Sequence, residues 1–287
     1  MLFDLTIIGF GVIGVETLYG IKKILLLRKN KNKNNIKIAI IEKNLKNIPG
    51  GVAYSQENSK FGYFNNPLRL SPPHFIKWFN LKVNKNKLTD FAKNNPKHNL
   101  DLWLKKNESI LNKNFKDYNE IYLPRLIYSF YLEEKILEIL QFIKKVNISL
   151  KFYKGEVNNL NNKYNYNIFP KKIFSEFTVN SKNKVFVLKK HKFNHPNIIR
   201  SKNIVIGIGI VPPKKIKESV IHKNSNYIWD FYSSGGTNNL IKKMEKISKT
   251  KKNMNIIFIG NKAGLLETMQ EIEKIIKKNK TNINIFC

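Results

Sequence analysis

The sequence predicts an α/β fold that is built on parallel β-strands. Residues 1–42 follow the order strand, glycine turn, helix, strand and acidic residue. A helical stretch, a set of short strands and one further apolar strand come next, and residues 255–286 repeat the order strand, glycine turn, helix, strand. Strands that alternate with helices are typical of a parallel sheet with helices packed on its faces.

The first element is a short apolar strand over residues 5–8, which runs directly into a glycine turn of residues 9–14. Apolar residues then recur at helical spacing until the polar loop of residues 28–35. Residues 36–41 form a second apolar strand, which ends at Glu42. This order predicts one complete βαβ unit.

The middle of the chain begins with a turn-rich aromatic segment, residues 49–71. The pattern predicts helices over residues 72–146, one of them directly after Pro124, and a loop over residues 157–167. The strands that it predicts in this region cover residues 149–153, 172–179, 185–188 and 203–206. We expect the first three to form an antiparallel set, and the fourth to end in Gly207-Ile208-Gly209.

A second unit of the same kind is predicted near the end of the chain, after a polar segment of residues 233–239. Its parts are a strand over residues 255–259, a turn over 260–264, a helix over 265–278 and a strand over 282–286. Lys262 lies in the turn where a glycine would let a phosphate approach most closely. This turn is therefore less suited to a dinucleotide than the first one.

The composition indicates a folded protein with many surface lysines. Its 287 residues, 42% of them hydrophobic, are enough to bury a core, which excludes a disordered protein. The formal net charge is +32, but 48 of the 52 basic residues are lysine and four are arginine, the residue that contacts phosphate and guanine in bidentate geometry. With 41 asparagines, the lysines are typical of an AT-rich genome, and we expect no specific nucleic-acid surface.

Other signals point away from metal chemistry and membranes. The single cysteine, Cys287, excludes a disulfide framework and a cysteine-based metal site. His191 and His195 lie in an apparent loop beside Pro196, without the glutamate of a zinc motif. The sequence has neither a secretory signal nor a run of about 20 apolar residues. We expect a cytoplasmic protein that acts on a small molecule, with no metal.

The first glycine turn, Gly9-x-Gly11-x-x-Gly14, has the spacing and the strand–helix context of a dinucleotide-binding turn. Its first glycine permits the tight turn, its second lets the backbone approach a pyrophosphate, and its third lets the helix and the strand pack closely. The N–H groups and the dipole at the helix start favour the phosphate charge. Glu42 is placed to accept hydrogen bonds from ribose hydroxyls; it follows Gly14 by 28 residues rather than about 20, because the loop 28–35 lengthens the connection.

Five spaced motifs between residues 3 and 215 carry a resemblance to a known family. They are Ile7-Ile8-Gly9-Phe10-Gly11 with Gly14; Gly50-Gly51-Val52-Ala53-Tyr54-Ser55; Asn65-x-Pro67-x-Arg69-x-Ser71 with Phe75-Ile76-Lys77-Trp78; Leu123-Pro124-Arg125-Leu126-Ile127-Tyr128 with Tyr131-Leu132; and Val205-Ile206-Gly207-Ile208-Gly209 with Pro212-Pro213. The chain thereby resembles the FAD/NAD(P)-binding family related to FAD-dependent urate hydroxylase-like proteins and, more distantly, flavin-dependent N-hydroxylating monooxygenases. The resemblance implies a Rossmann-type FAD-binding domain whose FAD is reduced by a nicotinamide nucleotide and then reacts with oxygen or another acceptor.

The predicted cofactor-binding residues fall into two groups. Those expected to hold the ADP part of FAD are Gly9, Gly11, Gly14 and Glu42, and those expected to line the path toward the flavin ring are Gly50, Gly51, Asn65, Gly207 and Gly209. Asn65 has an alternative role in an ordinary Asn-Asn-Pro turn. Arg125 could either bind an anionic group or anchor a helix end. No catalytic residue is assigned, because in flavoenzymes the cofactor performs the chemistry.

The predicted organisation is an FAD-binding domain over residues 1–220, with the helical insertion at about 72–146, and a partial NAD(P)-binding-like unit over residues 221–287. The leading functional hypothesis is an FAD-dependent oxidoreductase, with monooxygenase as its finer form. One alternative is a shortened, non-catalytic flavin- or nucleotide-binding module that needs a partner chain. Another is a basic protein associated with nucleic acid. Because the chain ends one strand into its second unit, we also expect a fragment, a split gene or a shortened member of the family.

Overall fold

The structure is a computed structural model that describes residues 1–27, 35–55, 62–95, 99–111, 118–161, 166–170, 175–180, 187–190, 198–209, 236–257 and 263–286. The chain divides into two compact units. The first unit combines Met1–Gln56 with Tyr128–Ile210, and the second unit combines Glu57–Ile127 with Val211–Cys287. Each unit is described by itself.

The first unit is built around a sheet whose described strands number eight, in the order β4-β5-β8-β1-β2-β3-β6-β7. The strands are β1 (Leu2–Ile8), β2 (Ile36–Glu42), β3 (Ile148–Lys154), β4 (Val157–Asn161), β5 (Tyr166–Pro170), β6 (Ser175–Asn180), β7 (Val187–Lys190) and β8 (Ile199–Ile206). The four central strands, β8, β1, β2 and β3, run parallel. The predicted α/β class with a parallel sheet is confirmed.

The antiparallel strands extend this sheet at both edges. At one edge β5 pairs with β8 and with β4, and at the other β6 pairs with β3 and with β7. The predicted antiparallel set is confirmed, since β3 pairs with β6 and β6 with β7 in antiparallel fashion; β3 also joins the parallel part of the sheet through β2. One prediction was wrong in this region, because the predicted loop at 157–167 contains β4 and the start of β5. The many asparagines in the hairpin of β4 and β5 favoured a loop in the sequence. In the structure, Val157 and Leu160 of β4 pack against the core.

Within the described residues of the first unit, the helices are α1 (Val12–Leu27), the short α2 (Gly51–Tyr54) and the part of α6 (Arg125–Lys145) that follows Ile127. Successive side chains of β2, from Ile38 to Ile41, are all buried, because a central parallel strand is covered on both faces. Buried apolar residues of the sheet form one cluster, which consists of Phe3, Ile8, Ala39, Ile41, Tyr153, Ile168 and Ile199.

In the second unit, the stretch predicted to be helical contains α3 (Pro73–Phe79), α4 (Lys82–Asn94) and α5 (Asn99–Leu111), and α6 begins directly after Pro124 as predicted. Short 3₁₀ turns occur at Leu45–Asn47 in the first unit and at Leu68–Leu70 in the second. Aromatic residues fill the centre of α3: Phe75 is fully buried and stacks on Trp78 at a centroid distance of 6.0 Å.

The last part of the second unit contains α7 (Gly236–Thr250), β9 (Asn253–Ile257), α8 (Ala263–Asn279) and β10 (Asn282–Phe286). β9 and β10 pair in parallel, as the predicted strand–turn–helix–strand order requires. Apolar residues of both helices pack with those of the strands around Met244, Met254, Ile272 and Ile275. The prediction missed α7, and it assigned residues 236–239, the helix start, to a polar segment. Among the described residues, none of the helices is both long and apolar enough to span a membrane.

Candidate functional site

The glycine turn lies at the carboxyl end of β1, where β1 is flanked by β2 and β8. The Gly9 amide donates to the Ile41 carbonyl at 2.8 Å, and the Gly207 amide donates to the Ile8 carbonyl at 2.7 Å. Gly9 has a φ of +89°, and a Cβ at this position would lie 2.3 Å from the Gly207 carbonyl oxygen. A side chain here would be strained and would also collide with the neighbouring backbone.

Gly11 brings the turn against the segment that carries Gly50 and Gly51. Gly11 and Gly50 form an isolated parallel β-bridge, and a Cβ on Gly11 would lie 3.3 Å from the Gly51 Cα. Gly50 and Gly51 themselves have φ values of +109° and +68°. The sequence predicted that Gly11 lets a pyrophosphate approach the backbone closely. In the structure, the absence of a side chain at Gly11 also leaves room for the backbone of Gly51.

Gly14 permits the close packing that its place in the motif predicts. A Cβ at Gly14 would lie 2.7 Å from Cδ2 of Phe10 and 3.0 Å from the Gly9 carbonyl oxygen. Phe10 is fully buried and meets the Phe152 ring edge-on at a centroid distance of 5.4 Å. The first turn of α1 is therefore pressed against the end of the sheet.

Glu42 binds the glycine turn directly. Its Oε2 accepts a hydrogen bond from the Phe10 amide at 2.8 Å, and its Oε1 accepts one from the Asn44 amide at 2.9 Å. The residue is buried, with 9% of its surface exposed. Hydrogen bonds from N–H groups to a carboxylate are among the stronger ones in proteins. Glu42 thus fixes the shape of the turn, a role that the sequence did not predict.

The predicted site residues of the first unit converge, with the closest contacts among Gly9, Gly11, Glu42, Gly50 and Gly207. Gly207 also approaches α1: a Cβ at this position would lie 3.1 Å from the Ile13 Cβ. Gly209 has a φ of +73° and, among the described atoms, no neighbour within 4 Å of a Cβ built on it. We call the convergent set Gly9, Gly11, Gly14, Glu42, Gly50, Gly51 and Gly207 the glycine cluster.

Asn65, the remaining predicted residue, belongs to the second unit. Its Oδ1 accepts a hydrogen bond from Nη2 of Arg125 at 3.2 Å. Arg125 Nε also donates to the Tyr63 carbonyl at 2.8 Å, so the arginine is bound to the turn that carries Asn65. The two residues that the sequence singled out separately are therefore partners.

A buried ion pair lies beside α1, and the sequence analysis missed it. Lys135 of α6 has 3% of its side chain exposed, and its Nζ lies 2.5 Å from Oε1 of Glu16. It also lies 3.9 Å from the ring centroid of Tyr19 and 5.0 Å from that of Tyr131. Burial lowers the pKa of Lys135 and raises that of Tyr131. The signal in the sequence that could have revealed this ion pair is Lys135, a charged residue directly before Ile136 of the apolar helix face.

Several sequence predictions fall outside the described residues. These are Pro212-Pro213, most of the second glycine turn with Gly260 and Lys262, and the pair His191 and His195. The aromatic residues of the 227–232 segment lie there as well.

The glycine cluster fits the ADP part of a dinucleotide. The 16-residue helix α1 begins at the cluster, and the N–H groups of a first helical turn have no acceptor within their own helix. They can therefore bind phosphate oxygens. A carboxylate can accept about four hydrogen bonds, so Glu42, which accepts one from Phe10 of the turn and one from Asn44, retains capacity for ribose hydroxyls.

The fold and the glycine cluster define a dinucleotide-binding α/β protein. Residues 6–168 match the FAD-NAD(P)-binding family, and because this is more than half of the chain, the protein belongs to that family. The predicted cofactor class, FAD, is thereby confirmed. The matched range contains all of the predicted site residues except Gly207 and Gly209.

Among solved structures, that of DfoA bound to FAD shows a distant likeness. DfoA is described as the desferrioxamine biosynthetic pathway cadaverine monooxygenase of the fire blight pathogen Erwinia amylovora. The TM-score is 0.42 and the sequence identity 11%, with 99% of this chain and 51% of that chain covered. The chain thus spans about half the length of DfoA. No curated protein matches the sequence.

Proposed function

We propose that this protein is an FAD-dependent oxidoreductase that receives electrons from a nicotinamide nucleotide. The observation that carries the proposal is the glycine cluster, in which the ends of β1, β2 and β8 and the Gly50-Gly51 segment meet at the start of α1. The family gives the cofactor class. When bound, the flavin supplies the electron-transfer chemistry, and the chain supplies its binding and orientation.

In this proposal the residues of the cluster have distinct roles. The first turn of α1 binds the pyrophosphate through its N–H groups, and Glu42 accepts hydrogen bonds from the adenosine ribose while it holds the Phe10 amide. Gly50, Gly51, Gly207 and Gly209 lie along the rest of the cofactor. Asn65 is proposed to lie near the flavin ring.

The finer proposal is a monooxygenase of the urate hydroxylase-like kind, and it is supported by the spaced sequence motifs. We also propose that residues 1–220 act as the FAD-binding domain and residues 221–287 as a partial NAD(P)-binding-like unit. The parallel pair β9 and β10, with α8 between them in the chain, supports the second assignment. A small-molecule substrate and a cytoplasmic location stay predictions from sequence.

The absorbance spectrum of the purified chain tests the proposal. We expect the bands of an oxidised flavin, either as isolated or after addition of FAD and removal of the excess. Gly11→Leu should abolish uptake, because the new side chain would displace the Gly51 backbone. Gly20→Ala is the matched control, since a Cβ at Gly20 meets no atom within 4 Å among those described. A colourless chain that takes up no FAD would overturn the proposal.

Anaerobic mixing with NADH or NADPH separates the enzyme from a non-catalytic binding module. In an oxidoreductase, one of the two nucleotides should bleach the flavin bands rapidly. If FAD binds but neither nucleotide reduces it, the alternative of a module that needs a partner chain replaces the enzyme.

A further inference from the structure

The parallel pair of β9 and β10 has one packed face and one open face. The side chains that pack with α7 and α8 are those of Met254, Ile256, Ile283 and Ile285. Because successive side chains of a strand point to opposite faces, the intervening residues lie on the other side of the sheet. They are all exposed and form three rows, which are Asn253 beside Asn282, Asn255 beside Asn284 and Ile257 beside Phe286. We call these six residues the open face.

An open face is unusual for a parallel sheet. Sheets of this kind are found almost only with both faces covered. Here the apolar row is the most exposed, with 74% of the surface of Ile257 and 53% of that of Phe286 accessible. In the part of the chain that the structure describes, β9 and β10 form a sheet of two strands, so each has an outer edge on which no described strand lies. Such edges are sites at which further strands can add.

The asparagines of the open face form a ladder that has a direction. Nδ2 of Asn284 donates to Oδ1 of Asn255 at 2.9 Å, and Nδ2 of Asn282 donates to Oδ1 of Asn253 at 3.2 Å. An asparagine amide has both an acceptor oxygen and a donor NH₂ group. Each pair therefore leaves over the oxygen of the β10 asparagine and the NH₂ group of the β9 asparagine, and neither group has another partner among the described residues.

The two outer edges are complementary to each other. The β10 edge offers acceptor oxygens and the β9 edge offers NH₂ donors at the same spacing, because the paired asparagines are in register. Both strands also begin with asparagine and an apolar residue in alternation, Asn-Met-Asn-Ile in β9 and Asn-Ile-Asn-Ile in β10. A β10 strand from a second copy could thus lie beside β9 with the pairing that β10 has within the chain. Asparagine ladders stabilise parallel, in-register strands from separate chains in this way.

We propose that the β9–β10 sheet is a self-association surface, on which the β9 edge of one copy of this chain pairs in parallel with the β10 edge of a second copy. The β9 asparagines of the first copy donate to the β10 asparagines of the second, which continues the ladder. Ile257 of the first copy then lies beside Phe286 of the second. Because the two edges differ, the contact is heterologous, and association does not stop at a dimer.

The contact should be weak and should depend on salt. A junction between two strands of five residues buries less surface than the interface of a stable dimer. Lys251 and Lys252 precede β9 and Lys280 precedes β10, all of them exposed, so like charges come together when strands of two copies pair. Added salt screens this repulsion. Self-association should therefore strengthen with salt, whereas salt weakens the binding of duplex DNA.

Two substitutions each remove one side of the junction and keep the pair within the chain. Asn255→Asp keeps the acceptor for Asn284 but loses the donor toward the second copy. Asn284→Lys keeps a donor for Asn255 but loses the acceptor. Asn239→Lys, which adds the same positive charge at an exposed position of α7, is the matched control. Circular dichroism checks that the three variants fold like the wild type.

Sedimentation equilibrium of the full chain in about 0.5 M salt is the first measurement. We expect the mean mass of the wild type to rise with protein concentration beyond that of a dimer, and each of the two junction variants to associate about tenfold more weakly. Asn239→Lys should associate like the wild type. An equimolar mixture of Asn255→Asp and Asn284→Lys should recover association, because the intact edges of the two variants are complementary and the introduced charges are opposite.

Three results would overturn the proposal. They are a wild type that stays monomeric or stops at a dimer, junction variants that associate like the wild type, and a mixture that associates no better than its components.

Amide hydrogen exchange locates the contact. Protection of the β9 and β10 amides should increase with protein concentration, and that of the α7 amides should not. Unchanged protection in both strands would overturn the proposal even if the chain associates, since another surface would then be responsible. Neither measurement uses FAD, so the result is independent of the proposed function.

Discussion

Gly9 occupies a position that no other residue can adopt without strain. We expect Gly9→Ala to lower the free energy of unfolding by roughly 2–3 kcal/mol, because a φ of +89° costs an L-residue about 1–2 kcal/mol and the new Cβ would lie 2.3 Å from the Gly207 carbonyl oxygen. Urea denaturation followed by circular dichroism measures the change.

Gly20 provides the control for this substitution. It lies inside α1, and a Cβ there meets no described atom within 4 Å. Gly20→Ala should therefore raise the free energy of unfolding by roughly 0.5–1 kcal/mol, since alanine is the better helix former. Similar losses for Gly9→Ala and Gly20→Ala would contradict the role assigned to the glycine turn.

Glu42 is expected to matter both for the turn and for the cofactor. In Glu42→Gln, one carboxylate oxygen becomes an NH₂ group that would face a backbone N–H. We expect a loss of about 1–3 kcal/mol in the free energy of unfolding, together with weaker FAD binding. Glu156→Gln, which removes the surface ion pair with Lys43, should cost about 0–1 kcal/mol and leave FAD binding intact. An unchanged FAD affinity in Glu42→Gln would remove Glu42 from the site.

The start of the parallel sheet is held by Asp4 of β1. Its carboxylate accepts hydrogen bonds from Nζ of Lys202 at 2.7 Å and from the Lys37 amide at 2.9 Å, so it connects β1 to β8 and to β2. The side-chain hydrogen bond from Lys202, followed by the backbone hydrogen bond from Lys37, lowers the pKa of Asp4 below its usual value.

The lowered pKa of Asp4 predicts a loss of stability in acid. Because the folded carboxyl has the lower pKa, its contribution is fully present above the unfolded pKa of about 4 and is lost as the pH falls through the folded value. The difference in unfolding free energy between the wild type and Asp4→Asn should therefore be constant from pH 7 to about pH 5 and shrink below about pH 4. Denaturation curves over this range measure it; a difference that persists at pH 2 would contradict the ion pair.

The pair of Lys135 and Glu16 fastens α6 to α1, the helix that begins at the glycine cluster. Lys135→Met should lower the free energy of unfolding by about 2–3 kcal/mol, somewhat less than for a fully buried pair because 31% of the Glu16 side chain is exposed. The double variant Glu16→Gln with Lys135→Met should recover most of that loss. Thermal unfolding of the single and double variants gives the coupling, and purely additive effects would show that the two side chains do not act as a pair.

The net charge of +32 concerns the molecule as a whole. Because its source is lysine dispersed along the chain, we expect weak binding to duplex DNA without sequence preference. That affinity should fall by orders of magnitude between about 50 and 200 mM salt. Fluorescence anisotropy at several salt concentrations tests this, with FAD binding measured in parallel. Tight DNA binding that survives the higher salt would favour the nucleic-acid alternative.

Elements whose identity depends on neighbouring residues in the chain were predictable. The alternation of β1, the glycine turn and α1 follows from short-range apolar spacing, and so do β2 and the helix after Pro124. The parallel pairing of β9 and β10 also followed from the order of strand, turn, helix and strand. These patterns are local, so they can be recognised in the sequence without knowledge of how the elements pack.

Elements whose identity depends on distant partners were not predictable. The hairpin of β4 and β5 is rich in asparagine, and it is a strand pair because β5 joins β8 and because Val157 and Leu160 reach the core. β3 forms the predicted antiparallel pair with β6, but its second pairing, in parallel with β2, was not predicted from the sequence.

The candidate site divides in the same way. Spacing alone identified Gly9, Gly11, Gly14 and Glu42, since a dinucleotide turn needs those residue types at those intervals, whereas Gly50, Gly51, Gly207 and Gly209 were identified through the resemblance to the family. Only the folded chain brought Gly11 against Gly51, Glu42 onto the Phe10 amide and Arg125 onto Asn65. These contacts join residues 32 to 60 positions apart, and packing and hydrogen bonding in three dimensions select them, because no local pattern records which distant group will be the neighbour.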